Sequence, residues 1–202
     1  MTERRIAERA SRRAAQAVAA GTFRRRAAAS RGFTLVELLA VVAMIGILSV
    51  IGMVGYRKYL AASHSSEAFT VLQAIRGGQE QARAETLVYL NCSGNLTTYY
   101  PHATPDTARW HWVQDTHAQR PCWRQLNVNP DGPVRYVYAT VAGGAGAVVP
   151  SISDMSPAPT WPTPTEPWYV VKAVGNLDGD STLSIFLASS FGNETRSQNE
   201  TE

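Results

Sequence analysis

Glu37 is the residue whose chemistry most needs explaining. It is the one charge between Arg31 and Arg57, within "SRGFTLVELLAVVAMIGILSVIGMVGYRKYL", which runs from Ser30 to Leu60. A carboxylate in hydrocarbon costs at least about 2.5–3.5 kcal/mol, so an acid in such a run demands a partner. An ordinary signal anchor would let it snorkel to the headgroups.

Two cysteines, Cys92 and Cys122, lie in a polar, turn-rich region. No CxxC is present, and His102, His111 and His117 do not stand at zinc-finger spacing. In an exported domain two cysteines most simply form one disulfide; the alternative is a pair of free thiols. A loop of this size closed by a disulfide is worth roughly 3–4 kcal/mol.

The stretch "NLDGDST" sets oxygen ligands at alternate positions, Asn176, Asp178 and Asp180. That matches the first half of a calcium loop, but Ser181 stands where glycine is needed and Leu187 where a bidentate acid belongs. It is not an EF-hand. Calcium held partly by backbone carbonyls and a plain turn of Asn, Asp and Gly are both open.

Trp110, Trp112, Trp123, Trp161 and Trp168 suit either a sugar-binding face or burial against a helix. Matches to N-x-[ST], such as "NCS" and "NLT", arise often by chance. No P-loop, HExxH, nucleophile elbow or dinucleotide fingerprint is present. The expectation is a protein that is not an enzyme and needs no cofactor.

Charge is unevenly placed along the 202 residues. Residues 1–32 carry nine arginines against two acids, a net +7. The remainder carries ten basic and fourteen acidic residues, a net −4. The basic pI of about 9.0 therefore belongs to the first segment, and no nucleic-acid footprint is evident on the rest. That segment reads as a cytoplasm-retained leader under the positive-inside rule.

From Leu38 to Tyr56 run 19 uncharged, mostly apolar residues, about 28 Å of helix and close to the hydrocarbon thickness. No small-residue cleavage box follows it. The expectation is a single-pass span over 33–56 with its N-terminus in the cytoplasm and everything after Arg57 outside. The helical pattern continues without proline through 57–90, where Tyr59, Phe69, Leu72, Ile75 and Leu87 recur at helical spacing. This predicts one helix from Thr34 to Tyr89, apolar all round and then amphipathic, with a bend at Gly77-Gly78.

The amphipathic half needs a covering layer, and residues 91–190 supply one. "VRYVYATV" (134–141), "WYVVKAV" (168–174) and "TLSIFLAS" (182–189) read as strands, with "WHWV" (110–113) as a short fourth. "GNLDGD" is a hairpin loop between two of them. "PSISDMSPAPTWPTPTEP" (150–167) holds six prolines and is expected on the surface. The tail 191–202 is expected to fray. The fold class is α+β: a long helix on a small antiparallel sheet.

The run "RGFTLVELLAVVAMIGILSVIG" resembles the N-terminus of type IV prepilins and pilin-like proteins, including type II secretion pseudopilins. The pattern is a basic leader ending in glycine, then Phe, Thr-Leu-x-Glu-Leu and an unbroken apolar run; it covers about 30 residues. The resemblance implies cleavage between Gly32 and Phe33 by a prepilin peptidase and N-methylation of Phe33. It also implies that Glu37 pairs with the new amine of a neighbouring subunit as helices bundle. Gly46, Gly52 and Gly55 would then allow close approach or local unwinding.

The implied protein is a structural subunit of a helical surface or periplasmic filament. It waits in the bacterial inner membrane and then leaves it through an assembly platform to join other pilin subunits. Many major pilins carry proline where this chain has Val54, which points toward a minor pilin. The alternative class is a signal-anchored periplasmic binding module, with the "NLDGD" loop or the tryptophans as its site.

Overall fold

A computed structural model describes residues 32–200. The leader through Arg31 lies outside the described residues. Helix α1 spans Leu35–Thr86, 52 residues without a break. Contacts divide the chain into Met1–Ile47 and Leu48–Glu202, the boundary falling inside α1.

The first part of α1 is long and apolar enough to cross a membrane, and none of that window is buried. The second part buries a stripe made of Ser65, Ala68, Val71, Leu72, Ile75, Gly78, Gln79 and Ala82. The spacing is helical, but the residues are smaller and more polar than expected. Tyr59 and Leu87, both expected on that stripe, are exposed instead. Small side chains let backbone come close, and Gly78 shows why. A Cβ there would strike the Leu126 carbonyl, so Gly78 serves close packing and the helix runs through both glycines without ending.

The helix stops at Thr86, three residues earlier than expected. Leu87 takes the left-handed conformation (φ 64°), and its N–H donates to the Arg83 carbonyl at 2.8 Å. The chain then reverses, held by Gln79. The Gln79 side chain donates to the Leu90 carbonyl (2.8 Å) and the Thr140 hydroxyl (2.9 Å), and accepts from the Leu90 N–H (2.9 Å). Its amide satisfies a buried turn that would otherwise leave backbone groups unpaired. A short helix, α2 (Arg120–Gln125), follows.

The sheet is an antiparallel meander in the order β1-β2-β3-β4. Its strands are β1 (Val137–Gly143), β2 (Trp168–Gly175), β3 (Ser184–Ser189) and β4 (Gly192–Gln198). Three of them match the β-branched and aromatic runs. The fourth differs from expectation. "WHWV" contributes only an isolated bridge from Trp110 to Val134, whereas the polar segment "GNETRSQ" forms β4, so this part of the tail does not fray. Its tight connection, with Ser189 opposite Gly192, carries it back along β3. As an edge strand it exposes charged and polar side chains, which discourages edge-to-edge pairing.

Every residue of β2 and β3 is buried, so the sheet has a core on each face. On one face Tyr136, Tyr138, Tyr169, Val171 and Phe186 pack on Ala68, Val71, Leu72 and Ile75 of α1. On the other, Val137, Val170 and Leu187 pack on Ile152, Met155 and Trp161 of the proline-rich loop. That loop is thus a second covering layer, not a free surface excursion. Lys172, buried in the middle of β2, pairs with Asp154 of the loop and donates to the Tyr99 hydroxyl at 3.3 Å. A buried charge needs such a partner.

Candidate functional site

The head of α1 gathers the residues singled out by type and spacing. Gly32 and Phe33 precede the helix, and Phe33 is 80% exposed. No atom lies within 4 Å of where a Cβ on Gly32 would stand. The Gly32–Phe33 bond is therefore left uncovered by the described residues.

Thr34 caps the helix. Its hydroxyl accepts from the Glu37 backbone N–H at 3.2 Å. In return, Glu37 Oε2 accepts from both the Thr34 backbone N–H and the Thr34 hydroxyl, each at 2.9 Å. This reciprocal arrangement is a capping box, which satisfies amides that the first helical turn leaves unpaired. Glu37 also sits in the first turn, where the helix dipole favours a negative charge. So the acid has a local structural role that the reading of its charge alone missed. The signal was present as Thr-Leu-Val-Glu, a T-x-x-E pattern before an apolar run.

Below this cap the apolar side chains are uncovered from Leu35 to Tyr56. Gly46, Gly52 and Gly55 have open space where a Cβ would lie, and α1 passes through Val54 without interruption.

A family pattern described as the prokaryotic N-terminal methylation motif matches residues 28–53. That segment contains Gly32, Phe33, Thr34 and Glu37. The fimbrial protein EcpC of Eikenella corrodens is 47% identical over 55 residues, 27% of this chain and 33% of the relative. A fimbrial protein of Moraxella nonliquefaciens is 46% identical over 48 residues, 24% of this chain and 31% of the relative. The type IV major pilin protein PilA of Myxococcus xanthus is 46% identical over 56 residues, 28% of this chain and 26% of the relative.

Over this N-terminal segment the chain is type IV pilin-like. It spans a third or less of the length of these curated relatives, and no solved structure matches it significantly.

The other candidate residues lie after α1. Cys92 and Cys122 are joined by a disulfide, with Cα atoms 5.3 Å apart, tying the segment after α1 to α2. In the β2–β3 loop, Asn176 Oδ1 accepts from the Gly179 N–H, Asp178 Oδ1 from the Asp180 N–H and Asp180 Oδ1 from the Thr182 N–H. These bonds turn the chain, as Asn and Asp side chains do in loops. Among the described residues no group of three or more His, Cys, Asp or Glu is placed to hold a metal.

The histidines are dispersed: His102 stacks on Trp110 with centroids 3.7 Å apart, and His117 meets the Tyr100 ring edge-on at 5.0 Å. Trp112, Trp123 and Trp168 are buried. They do not make a continuous exposed aromatic face.

One acid in the second half of α1 is more buried than its place among the polar residues of the helix suggests. Glu67 is half-buried and accepts from the Arg135 N–H at 2.6 Å. Burial raises its carboxyl above the usual range, opposed by that hydrogen bond and by the positive charges of Arg135 and Arg109. The His64 imidazole, one turn away, is lowered by burial and by the same two arginines.

Proposed function

We propose that this chain is a prepilin-type structural subunit of a helical filament, in keeping with a minor pilin. The leader through Gly32 is removed by a prepilin peptidase, the new N-terminus at Phe33 is methylated, and the chain waits as a single-pass inner-membrane protein. An assembly platform then moves it into a filament with other pilin subunits, where α1 packs in the core and the sheet faces outward. The observation that carries this reading is the capped, wholly uncovered apolar helix head, with Glu37 held four residues from Phe33.

In the filament, Glu37 has a second partner. Cleavage after Gly32 creates an amine at Phe33, and the carboxylate pairs with that amine on a neighbouring subunit. Both charges are then out of water, so losing either one costs more than the pair contributes. The open space at Gly46, Gly52 and Gly55 lets a neighbouring helix approach closely.

Mass spectrometry of the mature chain tests the reading. The expected result is an N-terminus at Phe33 carrying one extra methyl group. A retained leader, or a cut elsewhere, would overturn it.

A further inference from the structure

Four segments of the chain match the acceptor pattern N-x-[ST], at Asn91, Asn95, Asn193 and Asn199. Spacing alone does not make an acceptor. The asparagine must stand on the surface, its side-chain nitrogen must be free to react, and the hydroxyl two residues on must reach its carboxamide.

Three of the four miss one of these conditions. After Asn91, the Ser93 hydroxyl is buried and engaged elsewhere. It donates to Gln119 Oε1 at 3.3 Å and accepts from the Thr140 N–H at 3.1 Å. Asn193 lies in β4, where its Oδ1 accepts from the Arg76 guanidinium at 3.4 Å. The Asn199 side-chain nitrogen donates to the Leu183 carbonyl at 3.1 Å.

Asn95 meets all three. It is exposed on a turn. Its Oδ1 accepts from the Thr97 N–H and the Thr97 hydroxyl, each at 2.9 Å, and from the Thr98 hydroxyl at 2.8 Å. Three donors on one oxygen fix the carboxamide plane, and Nδ2 makes no hydrogen bond among the described residues. Leu96 is buried in the core that holds Val137, Val141 and Ile152, which anchors the turn while Asn95 stays outside. Nothing lies within 4 Å of where a Cβ on Gly94 would stand, so the turn is uncrowded on that side.

We propose that Asn95 is an N-glycosylation site, the acceptor for a sugar activated as a glycosyl diphosphate. Nδ2 attacks C1 of the donor sugar. The N–C1 bond forms, the C1–O bond breaks, and the diphosphate leaves with its electron pair. One amide proton passes to a base of the transferase. Hydrogen bonds on Oδ1 draw electron density from the nitrogen and ease that proton's removal. The diphosphate can be carried by a nucleotide or by a lipid, and the size of the transferred unit tells them apart. This inference stands apart from filament assembly and does not depend on it.

The test is mass spectrometry of the full chain purified from its own host, reduced and digested with trypsin. The expected result is that peptide 84–109 carries sugar mass, placed on Asn95 by fragmentation. A single monosaccharide identifies a nucleotide-linked donor, and an oligosaccharide added whole identifies a lipid-linked one. Asn95→Gln and Thr97→Val should both abolish the modification, whereas Thr97→Ser, which keeps the hydroxyl, and Asn91→Gln should retain it. An unmodified Asn95, sugar on Asn91 or on a threonine oxygen instead, or undiminished occupancy in Thr97→Val would overturn the proposal.

Discussion

Gly78 of α1 abuts the backbone of Leu126. A side-chain carbon at position 78 would strike the Leu126 carbonyl oxygen and stand 3.1 Å from its carbon. Its neighbour Gly77 has open space around it. Two adjacent glycines in one helix therefore answer different demands, and substitution should separate them. Gly77→Ala should stabilise the protein by about 1 kcal/mol through helix propensity. Gly78→Ala should destabilise it by about 1–3 kcal/mol, because backbone rather than a flexible side chain must move. Urea unfolding of the two variants in micelles checks the signs. A stabilising Gly78→Ala would remove the close-packing account.

Glu37 caps α1, and one substitution can divide that cap from the pairing role proposed for its charge. Glutamine can replace glutamate in a capping box, so Glu37→Gln keeps the helix start while deleting the charge. Leader removal should proceed as in the parent chain, and incorporation into filaments should fall at least about tenfold, as expected when a buried amine loses its counter-charge. Filament pull-down after membrane fractionation measures this. Normal incorporation would show that the cap alone was the function.

Glu67 gives the fold a pH dependence with a defined sign. Burial raises its folded carboxyl above the ordinary value of 4.5. Between that value and its folded pKa, the native state binds more proton than the unfolded chain. Stability contributed here is thus greatest below 4.5 and declines as pH rises through the folded pKa. Glu67→Gln retains an acceptor for the Arg135 N–H and should abolish that decline, leaving the variant at least as stable as the parent at neutral pH. His64 acts oppositely: its lowered pKa makes stability fall as pH drops below 6.5. Melting curves of the Glu67→Gln variant across pH 4–8 should differ from the parent by the Glu67 contribution alone.

Leu87 closes α1 in a conformation that suits glycine. Its φ is 64° and its side chain is 77% exposed, so little packing is at stake. Leu87→Gly should raise stability by up to about 1 kcal/mol, the relief of a left-handed residue offset by added freedom in the unfolded chain. A lower melting temperature would mean that Leu87 has a packing role that its exposure hides.

The helix and three strands were legible because their residues carry strong local signals: an unbroken apolar run in α1, and Val, Ile, Tyr and Trp in the strands. β4 was not legible, because "GNETRSQ" has neither β-branched alternation nor apolar content. It pairs with β3 through backbone after a tight turn, and the Arg76 guanidinium of α1 donates to its Gly192 and Asn193 carbonyls. The proline-rich loop misled in the opposite way. Its prolines correctly exclude regular structure, yet Ile152 and Met155 between them turn inward, and proline content says nothing about which side chains are buried. The buried part of α1 was placed correctly at Leu72 and Ile75 but not at Ser65, Ala68, Gly78 or Gln79. Those positions are read by how near the opposing backbone comes, a distance that hydrophobic periodicity does not encode.

The order of the chain also sets an order of events. The inward stripe of α1, from Ser65 to Ala82, is made long before β1 at Val137–Gly143 and the strands after it, which complete its cover. The strands themselves pair only with sequence neighbours, so the meander can zip rapidly once it is all present. Until then the stripe is covered only in part, by residues such as Leu90 and Leu126. The 30-residue disulfide loop from Cys92 to Cys122 is complete while that face still waits. Oxidation can therefore fasten the connecting segment first and shorten the search by which the last-made third of the protein finds the first-made helix.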